Sequence, residues 1–302
     1  MKAGVSDLDL ARAHLAYPAI DLPHAYGLYG VVMSASASLP FDCHTHNALC
    51  KHADGTPADY ARAAKDKGIG LIAATDHLPN PHGYAPDRRM AMDEFNVYRD
   101  LVREAQNAGG AEVLFGIEAD FYQGGYQFLE KWLANEGLDL DVVIGGVHHQ
   151  NYWSDDPEVK SLWEGDSDRI WKRYFRLVGL MADWKLFDVV AHFDLPKKKG
   201  RGISDDLLKE YAQPALDAIA ENKMAIEINT SGLVHDVAEI YPSSLLLRLA
   251  KDRDIPITFG SDAHTPKRVG ADFDKAAALA RDAGYTEYVI YRGRRPQLQS
   301  LI

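Results

Sequence analysis

Seven times along this chain a short apolar run gives way to a polar or Gly/Pro-rich loop and then to a stretch of helical periodicity. That order predicts an α/β fold whose strands lie side by side in a parallel sheet or barrel. Residues 41–46 are the first expected strand, and Thr56-Pro57 reads as the N-cap and first residue of a helix ending at Gly68. Residues 70–74 follow as the second strand. A loop carrying Pro79, Pro81, Gly83 and Pro86 then leads to an amphipathic helix with Phe95, Tyr98, Leu101 and Val102 on one face. Residues 113–117, 141–144, 187–191, 225–229 and 256–260 supply strands three to seven, and 288–291 a short last one. An aromatic insertion around Tyr152, Trp153 and Trp163 precedes a helix that Ser167 is expected to cap, with Trp171, Tyr174, Phe175 and Val178 at core spacing. Nothing divides this pattern, so one domain is expected over 41–302, behind an N-terminal extension, 1–40, of no legible role.

The polar residues that end these runs carry the chemistry. If 41–46 is a strand, Asp42, His44 and His46 share a face and two imidazoles converge. A His-x-His pair alone is common in surface strands and satisfied cores. Here it has company: His77 after the second run, Glu118 after the third, His148 after the fourth, His192 after the fifth, Asp262 and His264 after the seventh, and His52 in the first loop. In a β/α barrel these positions fall at the end of the strands where active sites are built. Structural cores avoid such a grouping of His, Asp and Glu. Nine ligands exceed the roughly four to six that one ion takes, and suit two or three ions bridged by a carboxylate, with Glu118 as the candidate bridge. The mixture of imidazole and carboxylate fits zinc, iron or manganese better than magnesium. Cys50, beside His52, is expected to pack as a small apolar residue.

Charge narrows the substrate. Three divalent ions bring about +6 and the two carboxylates subtract two, leaving about +4, a site that attracts a phosphate dianion. Metal ions also lower the pKa of a bound water to around 7 and neutralise phosphoryl oxygens, so a metal-held hydroxide can attack phosphorus without a side-chain nucleophile. The chain as a whole carries a formal charge of −11, and its longest basic run is Lys197-Lys198-Lys199. Long nucleic acid and anionic membrane surfaces are poor partners for it; a small phosphorylated molecule is not. Two cysteines are too few for a disulfide framework. Residues 27–37 faintly resemble a secretory signal, but acidic residues outnumber basic ones ahead of them, so a cytoplasmic location is expected.

Several stretches together resemble the PHP (polymerase and histidinol phosphatase) family, from about Phe41 to Arg295. They are His44-Thr45-His46, Cys50-Lys51-His52-Ala53-Asp54-Gly55, Thr75-Asp76-His77-Leu78-Pro79, Gly116-Ile117-Glu118, Gly146-Val147-His148, His192-Phe193-Asp194-Leu195, Glu227-Ile228-Asn229-Thr230-Ser231-Gly232 and Gly260-Ser261-Asp262-Ala263-His264. The Cys-x-His-Ala-x-Gly, Asp-His-Leu-Pro and Asn-Thr-Ser-Gly-Leu elements look most like the histidinol-phosphatase branch. The resemblance implies a distorted, TIM-like (β/α)7 barrel with a trinuclear site at the C-terminal ends of the strands. It implies His44, His46, Glu118 and Asp262 around one ion, Glu118, His148 and His192 around a second, and His52, His77 and His264 around a third. The branch implies hydrolysis of L-histidinol phosphate in histidine biosynthesis.

Beyond the ligands, Lys197, Lys198 and Arg201 after strand five and Arg268 after strand seven are expected to hold phosphate. Asn229 and Ser231 either bond substrate or cap their turn. Asp194 and Asp76 look like carboxylates that orient neighbouring imidazoles, and Asp194 joins Glu118, Asp262 and His264 among the expected catalytic groups. The proton for the leaving alkoxide could come from His82, His149, an Asp or water. His235-Asp236 stands where the family resemblance implies a basic residue, which leaves the substrate open to alternatives. Those alternatives are a nucleoside bisphosphate phosphatase or oligonucleotide exonuclease of the same family, a zinc amidohydrolase, and a metal-bound scaffold without activity.

Overall fold

In a computed structural model of the protein, described over residues 41–83, 85–135, 139–148 and 165–301, the apolar runs pair side by side. Strands β1 (Asp42–Thr45), β2 (Leu71–Ala74), β3 (Glu112–Asp120), β4 (Val142–Gly146), β5 (Val189–Val190), β6 (Ala225–Asn229) and β7 (Ile257–Gly260) form one sheet in chain order. Each is parallel to its neighbour. β1 and β7 meet through a bridge between Thr45 and Ala263, with His46 N donating to Ala263 O at 3.0 Å. The result is a nearly closed (β/α)7 barrel. Asp42 fastens the same seam lower down: fully buried, it accepts from Ser261 N at 3.0 Å, Ser261 Oγ at 2.6 Å and Gly270 N at 2.9 Å.

Local chemistry explains the helices that return the chain between strands. α1 (Pro57–Asp66) starts with Thr56 and Asp59 in a reciprocal capping box and Pro57 in the first turn, where no N–H is missed. α2 (Phe95–Asn107) buries Phe95, Tyr98, Val102 and Ala105 on one stripe, and Phe95 meets Trp132 of α3 (Tyr126–Leu133) edge-on at 4.7 Å. α4 (Ser167–Asp183) buries Trp171, Tyr174, Phe175 and Val178 as their spacing predicts. Its cap is Asp166, which accepts from Arg169 N, and Ser167 is the first helical residue, a correction of one position. α5 (Asp205–Glu221), α6 (Ser244–Lys251) and α7 (Phe273–Asp282) complete the outer layer.

Several strands differ in their bounds from the sequence outline. β3 runs on past Glu118 to Asp120, while β5 keeps only two residues. The latter begins late because the Asp188 side chain, not the backbone, takes the Val143 N–H at 2.8 Å, and it stops because His192 turns to φ 28°. The last expected strand, β8 (Glu287–Arg292), pairs antiparallel with β9 (Arg295–Ser300), whose mostly exposed polar sequence has no apolar alternation to announce it. Arg294 at their turn clamps Asp188 at 2.9 to 3.2 Å and Leu186 O at 2.7 Å, docking the hairpin at the strand starts, opposite the end that bears the histidines. Among the described residues no helix is long and apolar enough to cross a membrane. The N-terminal extension, His149 and the aromatic insertion lie outside the described residues.

Candidate metal centre

Parallel strands bring their C-terminal ends to one rim, and that gathers nine side chains from six strand ends and one loop, with Glu118 at their centre. The carboxylate is 1% exposed and its two oxygens serve different groups. Oε2 lies 2.9 Å from His77 Nδ1, 3.5 Å from His44 Nε2 and 3.7 Å from His46 Nε2. Oε1 lies 3.2 Å from His192 Nε2 and 3.3 Å from His148 Nε2. Asp262 Oδ1 reaches His46 Nε2 at 3.1 Å, His264 Nδ1 at 3.5 Å and His44 Nε2 at 3.8 Å. His52 Nε2 and His264 Nε2 face each other at 3.0 Å. Besides a set of His46, Cys50 and His264, three sets of His and Glu donor atoms are close enough to share an ion: His44 with His46 and Glu118; Glu118 with His148 and His192; His52 with His77 and His264. The first is deeply buried, and the other two open toward solvent through His148, His52 and His264.

The donor set fits divalent ions on grounds visible in the side chains. His44 Nε2, His77 Nδ1 and Glu118 Oε2 are buried without an aligned hydrogen bond, although His77 Nδ1 is 2.9 Å from the carboxylate. Atoms that converge at such distances without pointing at each other share a target between them. Imidazole nitrogens 3.0 and 3.2 Å apart, in the His52–His264 and His148–His192 pairs, require a proton or a cation between two lone pairs. Left to protons, the cluster splits its imidazoles. Burial opposes charge on His46 and His148, but hydrogen bonds to Asp262 and Asp76 raise His46 to about 9, and Glu118 and Asp120 raise His148 to about 10. Burial and the nearby His46 lower His264 to about 3, and burial lowers His77 to about 4 against the pull of Glu118. Burial works against ionised Glu118 too, yet His148, His77 and His44 hold it well below the usual carboxylate range.

The far nitrogen of most ligand imidazoles has its own acceptor, which orients the ring. His44 Nδ1 is 2.7 Å from Glu227 Oε1, His46 Nδ1 3.3 Å from Asp76, His148 Nδ1 2.5 Å from Asp120, His52 Nδ1 2.8 Å from Cys50 O, and His264 Nδ1 3.0 Å from Asp262 O. Glu227 also accepts from His192 N and Asn229 Nδ2, each at 3.0 Å. Room for it exists because Gly260 has no side chain: a Cβ there would stand 1.8 Å from Glu227 Oε1. Two ligands, His192 at φ 28° and Asp262 at φ 50°, occupy the left-handed region, strain that is common where a side chain must be aimed. Glu227 and Asp120 are the functional residues that sequence reasoning missed. Their signal was a charged residue on the inward face of an apolar strand, Glu227 two before Asn229 and Asp120 two after Glu118.

The other expected site residues divide. Asp76 orients an imidazole, but Asp194 is bonded to Lys197 at 3.0 Å and Ser243 N at 2.8 Å, not to a histidine. Asn229 and Ser231 turn to Asp262 Oδ2, at 3.5 and 3.1 Å, and hold that ligand, while Asn229 Oδ1 caps the turn by accepting from Ser231 N. Lys197 is buried, its ammonium committed to Asp194, Glu239 at 2.8 Å and Ile240 O at 2.7 Å. Arg268 pairs with Asp272 at 3.6 Å, in a turn tied by Lys67 Nζ to the far end of α1. Arg201 donates to Gly165 O at 2.9 Å on the rim. Lys198 is half-buried; burial lowers its ammonium, and Asp262 and Glu118 are among the charges that act on it. His82 is exposed near Tyr122, 6.3 Å between ring centres. Cys50 is fully buried, and burial with the Asp76 charge pushes its thiol up to about 12, as suits a packed residue, though it lies within reach of His46 and His264.

Comparison with known proteins agrees with this geometry. A probable histidinol-phosphatase of Deinococcus radiodurans is 41% identical over 260 residues, covering 85% of this chain and 98% of that protein. The histidinol-phosphatase of Bacillus subtilis is 27% identical over 258 residues, 77% of this chain and 96% of its own length. The fold is that of the histidinol phosphate phosphatase of Lactococcus lactis, solved in complex with zinc, L-histidinol and phosphate, with a TM-score of 0.71 at 20% identity over 86% of this chain and all of that one. The PHP-associated family matches residues 245–271. With the PHP domain family matching residues 42–231, well over half of its length, the chain belongs to the PHP family.

Proposed function

We propose that the protein is a metal-dependent phosphomonoesterase that hydrolyses L-histidinol phosphate to L-histidinol and phosphate, with residues 41–302 as its single catalytic barrel. One observation carries the reading: both oxygens of buried Glu118 are in use, each toward a different group of imidazoles, as a bridge between ions requires. Two to three ions of zinc, manganese or iron are the implied cofactors. When bound, such ions lower the pKa of water near 7 and neutralise phosphoryl oxygens.

The chain's own residues supply the rest. Glu118 would bridge two ions; His44, His46 and Asp262 would hold one, His148 and His192 a second, and His52, His77 and His264 a third. Glu227, Asp76 and Asp120 keep the protons of His44, His46 and His148 on Nδ1, leaving each Nε2 lone pair directed inward. Asn229 and Ser231 hold Asp262 Oδ2, so Oδ1 stays toward the cluster. To Lys198, whose ammonium feels the charges of Asp262 and Glu118, we assign receipt of the dianion, with Arg201 three residues on. The substrate rests on the names of the similar proteins and on the branch motifs; a small phosphate ester in the cytoplasm, not long nucleic acid or a membrane, is the partner consistent with a chain charge of −11.

A phosphate-release screen over histidinol phosphate, nucleoside bisphosphates, short oligonucleotides and sugar phosphates, with zinc, manganese and iron, tests this. Histidinol phosphate is expected to be turned over with the highest kcat/KM. Metal-loaded protein that releases phosphate from aryl phosphates and leaves histidinol phosphate untouched overturns the assignment. Elemental analysis near three ions per chain supports the trinuclear reading, and one per chain favours amidohydrolase chemistry.

A further inference from the structure

Behind His148 stand Asp120, which orients its ring, and a second charged side chain, Arg89, that has no part in the roles given above. Arg89 comes from the loop between β2 and α2 and is only 6% exposed. Its Nη2 lies 2.6 Å from Asp120 Oδ2, and its Nη1 donates to Leu78 O at 3.3 Å. The other oxygen, Asp120 Oδ1, is 2.5 Å from His148 Nδ1, and His148 Nε2 in turn is 3.3 Å from Glu118 Oε1 and 3.2 Å from His192 Nε2. A continuous line therefore runs Arg89, Asp120, His148, Glu118. Leu78, next to the ligand His77, closes it on the other side by donating its N–H to Glu118 O at 2.8 Å.

A buried ion pair contributes little net stability compared with apolar side chains of the same volume. Orientation is a different matter. His148 lies beyond the end of β4, and its side chain is 23% exposed, against 3% for its co-ligand His192. The hydrogen bond to Asp120 is what selects its tautomer. Asp120 can do that only while its own rotamer is held, and Arg89 holds it from the opposite side.

We propose that Arg89 and Asp120 are positioning residues for one metal position, that of Glu118, His148 and His192: Asp120 sets the His148 ring with Nε2 inward, and Arg89 sets Asp120. This rests on the metal-centre reading above. It places control of that position in the loop after β2, which carries Arg89, and leaves the other two ligand sets untouched.

The experiment is calorimetric titration of metal-free protein with zinc, with elemental analysis after dialysis, on wild type, Asp120→Asn, Arg89→Met and the double variant Arg89→Met/Asp120→Leu. Loss of an outer partner typically weakens a metal site 10- to 100-fold. Each single variant is expected to lose about that much affinity for one ion per chain, with the remaining ions bound as in wild type. The double variant removes both buried charges, so it is expected to melt like wild type and still to bind that one ion weakly. Recovery of full affinity in the double variant would show that the singles acted only through an unpaired buried charge, and would overturn the proposal. Equal weakening of every ion would overturn it too. Wild-type protein that takes up no metal sinks the metal reading and this inference together; wild type that fills its sites beside variants that fill theirs equally well sinks the inference alone.

Discussion

Glu227→Gln tests the orientation of the ligands most directly, because one carboxylate serves two of them. Oε1 takes the His44 Nδ1 proton at 2.7 Å, and Oε2 takes His192 N and Asn229 Nδ2 at 3.0 Å each. A carboxylate offers only acceptors; glutamine offers one acceptor end and one donor end. With its oxygen toward His44, its amide nitrogen meets two donors. At about 1.5–3 kcal/mol for each hydrogen bond to a charged group, the loss is about 3–6 kcal/mol. Since 1 kcal/mol moves the melting temperature of a domain of this size by about 2–4 °C, Tm falls on the order of 10 °C. With its oxygen toward His192 and Asn229, the amide nitrogen faces His44, whose proton must then move to Nε2, the atom that looks toward Glu118 and Asp262. The fold survives in that case, but His44 stops being a ligand and the deepest ion is lost. Scanning calorimetry of metal-free protein together with elemental analysis after loading distinguishes the two orientations, and one of the two losses must appear. A Gln variant with the melting temperature and metal content of wild type would refute the reasoning.

Four further outcomes are expected. His77→Ala and Asp262→Ala each reduce phosphate release by at least about 100-fold, more than loss of an outer partner costs, while the far-UV circular dichroism spectrum stays that of wild type; activity retained in either variant contradicts the ligand assignment. On the five imidazoles with large shifts, among them His44, where burial opposes the charged form but the charges of Glu227, Asp262 and Glu118 raise it well above its ordinary value, metal-free protein melts highest near pH 6.5. Stability from His46 and His148, protonated up to about 9 and about 10, is complete below the unfolded value of about 6.5 and is lost as pH rises through that window. His77 and His264, lowered to about 4 and about 3, remove stability as pH falls below 6.5. The same shifts require zinc binding at pH 7 to release protons, read by calorimetry in two buffers of different protonation enthalpy; zero release would be inconsistent with them. Arg294→Ala leaves half-buried Asp188 without its clamp and costs about 2–3 kcal/mol of unfolding free energy, with kcat unchanged at saturating metal because the hairpin lies at the other end of the barrel. A fall in kcat equal to that of a ligand variant would place the hairpin in the active site instead.

The barrel and its nine candidate ligands were legible in the linear chain for one physical reason. A parallel strand must end at the same rim as its neighbours, so a polar residue closing each apolar run is already a statement about position. His44, His77, Glu118, His192 and Asp262 could be read that way before any coordinates. Side-chain commitment could not. Lys197 and Lys198 are adjacent and chemically equal in the sequence, but one points into Asp194 and Glu239 and the other does not, feeling instead the charges of Asp262 and Glu118. Arg268, four residues after His264, lies in a turn tied to the end of α1. β9 has no apolar period because its residues stay largely in water. Glu227 is 183 residues from the histidine it orients, and Arg89 reaches Asp120 only because the loop after β2 folds over the end of β3. What the sequence determined alone was the period of the strands and the chemistry at their ends. Which nitrogen of each imidazole faces inward, and which cations remain for a substrate, only the tertiary structure decided, since those depend on hydrogen-bond partners that no spacing along the chain brings together.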